Sequence, residues 1–151
     1  MGPETFFHRL LWDDAQLQLE EKIKLVPDDK IRRVVLCSGK VYYDLHEERE
    51  KRGIDDVYLL RVEQLYPVPL RALVQELGRF KQAQFTWCQE EPRNMGAFHF
   101  LEPYLEWVLE QIGAKNRTLS YAGRPAAAAT AVGQMSKHLA QLKALLNDAL
   151  A

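Results

Sequence analysis

An open α/β fold with a mostly parallel sheet is what this sequence predicts, on three observations. The run Arg33-Val-Val-Leu-Cys-Ser-Gly-Lys-Val-Tyr-Tyr-Asp-Leu45 joins a β-branched strand to an amphipathic helix through a Ser-Gly turn. Units of this kind build open sheets whose ligands gather at the carboxyl ends of the strands. Downstream, apolar strand-like runs alternate with helical stripes, the pattern of βαβ units. The 151 residues, 47% hydrophobic and 27% charged, are enough for one globular domain with its own core.

Residues 1–30 mix Phe6, Phe7, Leu11 and Trp12 with acidic and amide residues and show no sustained periodicity, so they read as a connector from a missing upstream domain. Pro27-Asp28-Asp29 ends the connector, and residues 31–151 form the domain proper. Val34 to Cys37 is the first strand. Lys40 to about Lys51 is a helix, with Val41, Tyr42 and Leu45 inward and Glu47/Lys51 and Glu48/Arg52 paired on the solvent side. Gly53 suits its left-handed terminator, and Val57 to Val62 is a second strand.

Pro67 and Pro69 punctuate the next turn, after which Leu70, Leu73, Val74 and Leu77 recur at helical spacing. A third strand spans Gln84 to Gln89 and stops at Glu90-Glu91-Pro92, where proline interrupts a ladder. A loop over Arg93-Asn-Met-Gly96 leads to a helical stripe from Ala97 to Ile112, in which Pro103 is expected to kink or restart the helix. Thr118 to Tyr121 is a short fourth strand, followed by small residues from Gly123 to Thr130. The last helix, about Val132 to Leu150, places Met135, Leu139, Leu142, Leu146 and Ala149 on one face.

A formal charge of -1 and a pI near 6.4 give no electrostatic reason to expect nucleic acid or an anionic membrane. No run approaches the roughly 18 apolar residues of a membrane span, and the N-terminus lacks a secretory pattern. The chain therefore reads as soluble and intracellular. Cys37 and Cys88 both lie in apolar runs and read as reduced core residues rather than a disulfide framework. No complete catalytic or cofactor motif is present, and this suggests a piece of an enzyme rather than a whole one.

Four ordered segments carry a resemblance: Arg33 to Leu45, Arg61-Val-Glu-Gln-Leu-Tyr-Pro-Val-Pro69, Trp87-Cys-Gln-Glu-Glu-Pro-Arg-Asn-Met-Gly-Ala97 and Tyr121-Ala-Gly-Arg-Pro-Ala126. Together they resemble the C-terminal domain of 2-oxoglutarate dehydrogenase, the thiamine-dependent decarboxylating component. The resemblance implies a three-layer α/β/α domain like the transketolase C-terminal domain, with about five strands, mostly parallel, and one antiparallel. It implies a full-length homodimeric enzyme of the tricarboxylic acid cycle that uses thiamine diphosphate and magnesium. That enzyme decarboxylates 2-oxoglutarate and passes the succinyl group to lipoyl groups of the dihydrolipoyl succinyltransferase component. Its location would be the cytoplasm of a bacterium or a mitochondrial matrix. The Gly-Asp-Gly motif with its distant Asn-Asn, and the family's active-site histidines, are absent from this chain. The fragment alone is therefore expected to hold no catalytic, cofactor or metal residues and to be inactive, serving assembly and regulation.

Ser38-Gly39-Lys40 stands where a strand enters a helix, and its amides with Lys40 could hold a phosphate. Simple capping explains the same residues, and the spacing is not that of a Walker loop. Arg61 and Arg124 could converge with Ser38 and Lys40 at the sheet edge. Because the family includes members regulated by acyl-CoA or adenine nucleotides, these four residues form a candidate anion or effector site. The plainer reading pairs both arginines with acidic neighbours or with a dimer partner.

Glu90 and Glu91 are adjacent, so on a strand they point apart and cannot form an acid/base pair. Cys88 has no histidine near it in sequence, and His8, His46, His99 and His138 show no metal-ligand spacing. Tyr42, Tyr43, Tyr66, Trp87, Tyr104 and Trp107 exceed what a small core needs. Some of them, with Ala126 to Ala129, are expected to meet a second subunit or the upstream domains. Two other function classes stay open: a free-standing flavodoxin-like nucleotide-binding module, resting on the Ser-Gly turn, and an independent thiol enzyme.

Overall fold

The structure is a computed structural model and describes residues 10–11, 24–63, 68–124 and 135–151. Its sheet holds β1 (Leu10–Leu11), β2 (Arg33–Cys37), β3 (Val57–Val62), β4 (Gln84–Pro92) and β5 (Leu119–Arg124). Its helices are α1 (Val41–Arg52), α2 (Leu70–Leu77), α3 (Phe98–Gln111) and α4 (Met135–Leu150). The strands lie in the order β1-β3-β2-β4-β5. β2, β3, β4 and β5 run parallel, and β1 pairs antiparallel with β3 through Leu10↔Val62 and Leu11↔Arg61. The mostly parallel five-stranded sheet is thus present. Its antiparallel member comes from two residues that carry no strand signal of their own.

Alternation along the parallel strands sorts the core into two halves. Val34, Leu36, Tyr58, Leu60, Phe85 and Trp87 face one side, where α2 and α3 contribute Leu73, Leu77, Leu101, Leu105 and Val108. Val35, Cys37, Val57, Leu59, Cys88 and Ala122 face the other, where α1 and α4 contribute Tyr42, Leu45, Leu145 and Ala149. Helices on both faces make the expected three layers.

Local chemistry explains the element ends. Gly53 closes α1 at φ 67, a left-handed conformation that only glycine adopts without strain. Arg52 pairs with Glu48 at 2.7 Å on the solvent face, and Arg52 also reaches Asn147 of α4. The last carbonyls of α4 receive guanidinium donors from the base of β2. Arg32 donates to Ala151 at 2.6 Å and to Leu150 at 3.1 Å, and Arg33 donates to Asp148 at 3.0 Å. Cations at a helix carboxyl end suit its orphan carbonyls and its dipole. Asp28 accepts two bonds from Arg79, both at 3.0 Å, which ties the segment before β2 to the turn after α2.

Four features depart from expectation. β4 runs through Glu90-Glu91 to Pro92, which pairs with Arg124 across a register shift after Gln89. β2 ends at the level of Cys88, so Pro92 lies where β4 has a laddered neighbour on one side only, and a missing amide is tolerated there. β5 extends past Tyr121 to Arg124. α3 passes through Pro103 as one helix, and the carbonyl that proline leaves without its helical donor is that of His99, an exposed residue. On α4 the inward residues are Leu145, Leu146, Ala149 and Leu150, whereas Leu139 is 55% exposed. The expected positions Met135 and Ala126 to Ala129, and Tyr66 and Pro67, lie outside the residues whose side chains are described.

One buried amide fastens the carboxyl end of β4. Gln89 Oε1 accepts from Trp87 Nε1 at 2.9 Å and from the Phe98 amide at 3.1 Å, while Nε2 donates to the carbonyls of Glu91 at 3.1 Å and Met95 at 2.7 Å. A single side chain therefore joins strand, loop and the first turn of α3. Gly96 has φ +72, and a Cβ there would stand 3.0 Å from Gln89 Oε1. At Gly123 a Cβ would lie 2.7 Å from the Gln89 carbonyl and 2.5 Å from Tyr121 Oη.

Replacing Gln89 with Leu strands four buried or half-buried polar groups, and urea unfolding is expected to lose about 2–4 kcal/mol. Gly123→Ala forces backbone apart at the β4–β5 bulge and is expected to lose about 1–3 kcal/mol in the same measurement. A loss under about 0.5 kcal/mol in either case contradicts the packing described.

Candidate functional site

The chain leaves β2 toward β3 on one side of the sheet and later returns to place β4 on the other side. The carboxyl ends of β2 and β4 are therefore the topological switch point, where an open sheet leaves a crevice. Ser38-Gly39-Lys40 follows β2 there, and Arg61 and Glu63 stand at the end of β3 beside it.

The turn is already occupied by the chain itself. Gly39 has φ +77, which lets the backbone reverse into α1. Its amide donates to Glu63 Oε2 at 3.2 Å, so a carboxylate of this chain holds a position that an anion would take. No side chain caps α1, whose flanking residue is Lys40 itself. The expected serine cap is therefore not formed, and the glycine turn with Glu63 replaces it. Lys40 is exposed and Ser38 half-buried.

Arg61 is held by aromatic rings rather than by acids. Its guanidinium carbon lies 4.2 Å from the Tyr42 ring centre and 5.4 Å from that of Tyr43, and it donates to Tyr43 Oη at 3.2 Å. Among the described residues it forms no ion pair, and its buried Nε has no hydrogen-bond partner. Cation–π contact of this kind fixes a guanidinium without neutralising it. Ser38, Lys40 and Arg61 are thus brought to one corner of the sheet. Arg124 ends β5, separated from β3 by β2 and β4, a distance of about three strand spacings or ~14 Å. Its side chain lies outside the described residues.

Cys37 and Cys88 are register partners on β2 and β4, and both are buried thiols outside any disulfide. Burial pushes the Cys88 thiol up to about 12, so it carries no thiolate near neutral pH and offers no nucleophile. Tyr121, its ring tilted against that of Phe98 with centres 4.9 Å apart, is also pushed up by burial to about 12. Among the described residues no group of three or more His, Cys, Asp or Glu could hold a metal ion, and no helix is long and apolar enough to cross a membrane.

Sequence reasoning missed two residues that shape this edge, Glu63 and Gln89. An acid just past a strand end, two residues after a basic one, was a visible signal for Glu63. Nothing in the spacing of Gln89 marks it. Arg49 was missed as well. It reads as part of a charged helix surface, yet it is fully buried and donates to the Val57 carbonyl at 3.0 Å.

Comparison with known proteins adds three findings. Residues 1–150 match the family described as 2-oxoglutarate dehydrogenase C-terminal. The 2-oxoglutarate dehydrogenase E1 component of Brucella anthropi is 71% identical over 150 residues, 99% of this chain and 15% of the relative, and that of Brucella abortus is 70% identical over the same span. The chain therefore spans about 15% of the length of these curated relatives. A solved split-gene transketolase, described as an inactive beta4 tetramer, aligns with a TM-score of 0.49 at 13% identity, covering 85% of this chain and 40% of that one. On the family match and the 71% identity across nearly all of its residues, the chain belongs to the 2-oxoglutarate dehydrogenase C-terminal family.

Proposed function

We propose that this chain is the assembly and regulatory domain at the carboxyl end of a thiamine diphosphate- and magnesium-dependent 2-oxoglutarate dehydrogenase. The supporting observation is 71% identity over 150 residues to proteins named as the E1 component of that enzyme. In this reading the longer enzyme oxidatively decarboxylates 2-oxoglutarate and transfers the succinyl group to lipoyl groups of the dihydrolipoyl succinyltransferase component. It acts as a homodimer in the tricarboxylic acid cycle, in the cytoplasm of a bacterium. The thiol-enzyme reading is disfavoured by the buried, protonated Cys88, and the flavodoxin-like module loses its support because the Ser-Gly turn is filled by Glu63.

The domain's part in that chemistry is mechanical. Its layers present a firm surface on which catalytic domains can seat, and its own polar groups at the switch point bond to one another. The thiamine cofactor and magnesium supply carbanion stabilisation and charge neutralisation when bound. Those groups belong to upstream sequence in this reading.

Purified with the upstream sequence of a Brucella relative, the chain is expected to support keto-acid turnover with 2-oxoglutarate favoured over 2-oxoadipate. The 151-residue chain alone is expected to show none. Turnover by the isolated chain overturns the reading. A second test addresses Ser38, Lys40, Arg61 and Arg124 as an acyl-CoA or adenine-nucleotide site, for which the support is that Arg61 at the end of β3 forms no ion pair among the described residues. Acetyl-CoA or an adenine nucleotide at millimolar concentration is expected to raise the melting temperature, and Arg124→Ala to remove the shift. An unchanged melting temperature argues against the effector site.

A further inference from the structure

Three loops at the amino ends of the parallel strands are fastened into one platform, at the end of the sheet opposite the switch point. They precede β2, β4 and β5, which are neighbours in the sheet. Gln82 Nε2 donates to the Asp28 carbonyl at 2.8 Å and to the Ile31 carbonyl at 3.0 Å, which joins the first loop to the second. The Lys115 amide donates to the Lys81 carbonyl at 2.7 Å, and Asn116 Nδ2 donates to the Ala83 carbonyl at 3.2 Å, which joins the second loop to the third.

The platform carries four exposed cations, Lys30, Lys81, Lys115 and Arg117. Among the described residues none of them forms an ion pair. Arg117 Nε donates to the Ala114 carbonyl at 3.1 Å, which orients the guanidinium without neutralising it. The acids of the same loops are Asp28 and Asp29, and Asp28 is already held by Arg79. Four unpaired cations therefore stand against one unpaired carboxylate, in a chain whose net charge is -1. Two further exposed acids border the platform, Asp55 before β3 and Glu110 in the last turn of α3, and neither forms an ion pair with its cations.

Like charges held side by side repel, and a partner that brings carboxylates relieves them. From β2 to β5 is two strand spacings, ~10 Å, the reach of about four extended residues. Nucleic acid fits less well, because none of the exposed large apolar side chains, Tyr43, Phe100, Tyr104, Trp107 and Leu139, belongs to these loops, and bases have nothing to stack on. A second copy packed on the same platform by two-fold symmetry sets cation against cation.

We propose that this platform docks an acidic, extended segment of another polypeptide. Its carboxylates would run from Lys30 across Lys81 to Lys115 and Arg117. The proposal goes beyond the enzymatic reading above and stands whether or not that reading holds.

The test uses the full 151-residue chain and a fluorescent peptide of alternating glutamate and serine, with a lysine–serine peptide and a single-stranded DNA of equal length as counterparts. The acidic peptide is expected to bind with a Kd of tens of micromolar at about 50 mM salt and at least about tenfold more weakly at about 300 mM, the basic one not to bind, and the DNA to bind more weakly than the acidic peptide. Lys81→Glu with Lys115→Glu is expected to weaken binding at least about tenfold, and the milder glutamine pair at the same positions about threefold, with circular dichroism unchanged. Lys51→Glu with Lys143→Glu, an equal change of charge on exposed lysines of α1 and α4, is expected to weaken it less than about twofold. The acidic peptide failing to bind at about 1 mM, or equal weakening by the two glutamate pairs, overturns the proposal. Tighter binding of the DNA overturns it by assigning the platform to nucleic acid. Salt-sensitive self-association that Lys81→Glu with Lys115→Glu abolishes does so by assigning it to a second copy. Loss of peptide binding when the upstream sequence of a relative is attached does so by assigning it to packing within one longer polypeptide.

Discussion

Everything else in the domain follows from β2 being buried on both faces. Val34, Val35, Leu36 and Cys37 are each fully buried, so neither side of the central strand can meet water. Each such side chain gains about 1.5–3 kcal/mol on leaving water, but only if a helical layer covers its face. β2 is also hydrogen-bonded to β3 on one side and β4 on the other. Four parallel strands need crossovers, the crossovers are the helices, and they must be shared between the two faces. That one requirement distributes α2 and α3 to one side and α1 and α4 to the other.

The same requirement explains what the sequence makes legible. A strand buried on both faces is a continuous apolar run, which is why Val34 to Cys37 and Val57 to Val62 can be read from the chain. Edge strands have no such signature. β1 is two residues long and owes its extended form to pairing with Val62 and Arg61. The far half of β5, Ala122-Gly123-Arg124, has small or charged residues of poor strand propensity. Its smallness is needed because the Gln89 carbonyl and Tyr121 Oη leave no room for a Cβ at Gly123. α4 shows a third kind of illegibility. Its leucines and alanines permit more than one helical stripe, and the buried one is chosen by where α4 meets α1 and where Arg32 and Arg33 grip its end. Leu139, on a plausible stripe, is left outside.

At the candidate site the residues were legible but their partners were not. The Ser-Gly turn and Arg61 stand where strand counting places them, at the carboxyl ends of β2 and β3. Which groups would satisfy them depends on residues distant in sequence. Glu63 reaches the Gly39 amide from the neighbouring strand, and Tyr42 and Tyr43 reach Arg61 from the helix after β2. Periodicity cannot report such meetings. Gln89 is the extreme case, since an amide in an apolar strand gives no sign that it will satisfy four partners at once.

This satisfaction is what separates the edge from an active centre. Catalytic sites keep polar groups under-satisfied, strained or shifted toward neutral pKa values, at a cost to stability. Here the Gln89 amide makes four bonds, the Gly39 amide faces a carboxylate, and burial keeps the Cys88 thiol protonated. The switch point has the address of a ligand crevice, but its hydrogen-bonding capacity is largely turned inward. A sheet edge closed in this way favours rigidity. Among the described residues Arg61 differs, since its guanidinium rests on the Tyr42 and Tyr43 rings and forms no ion pair.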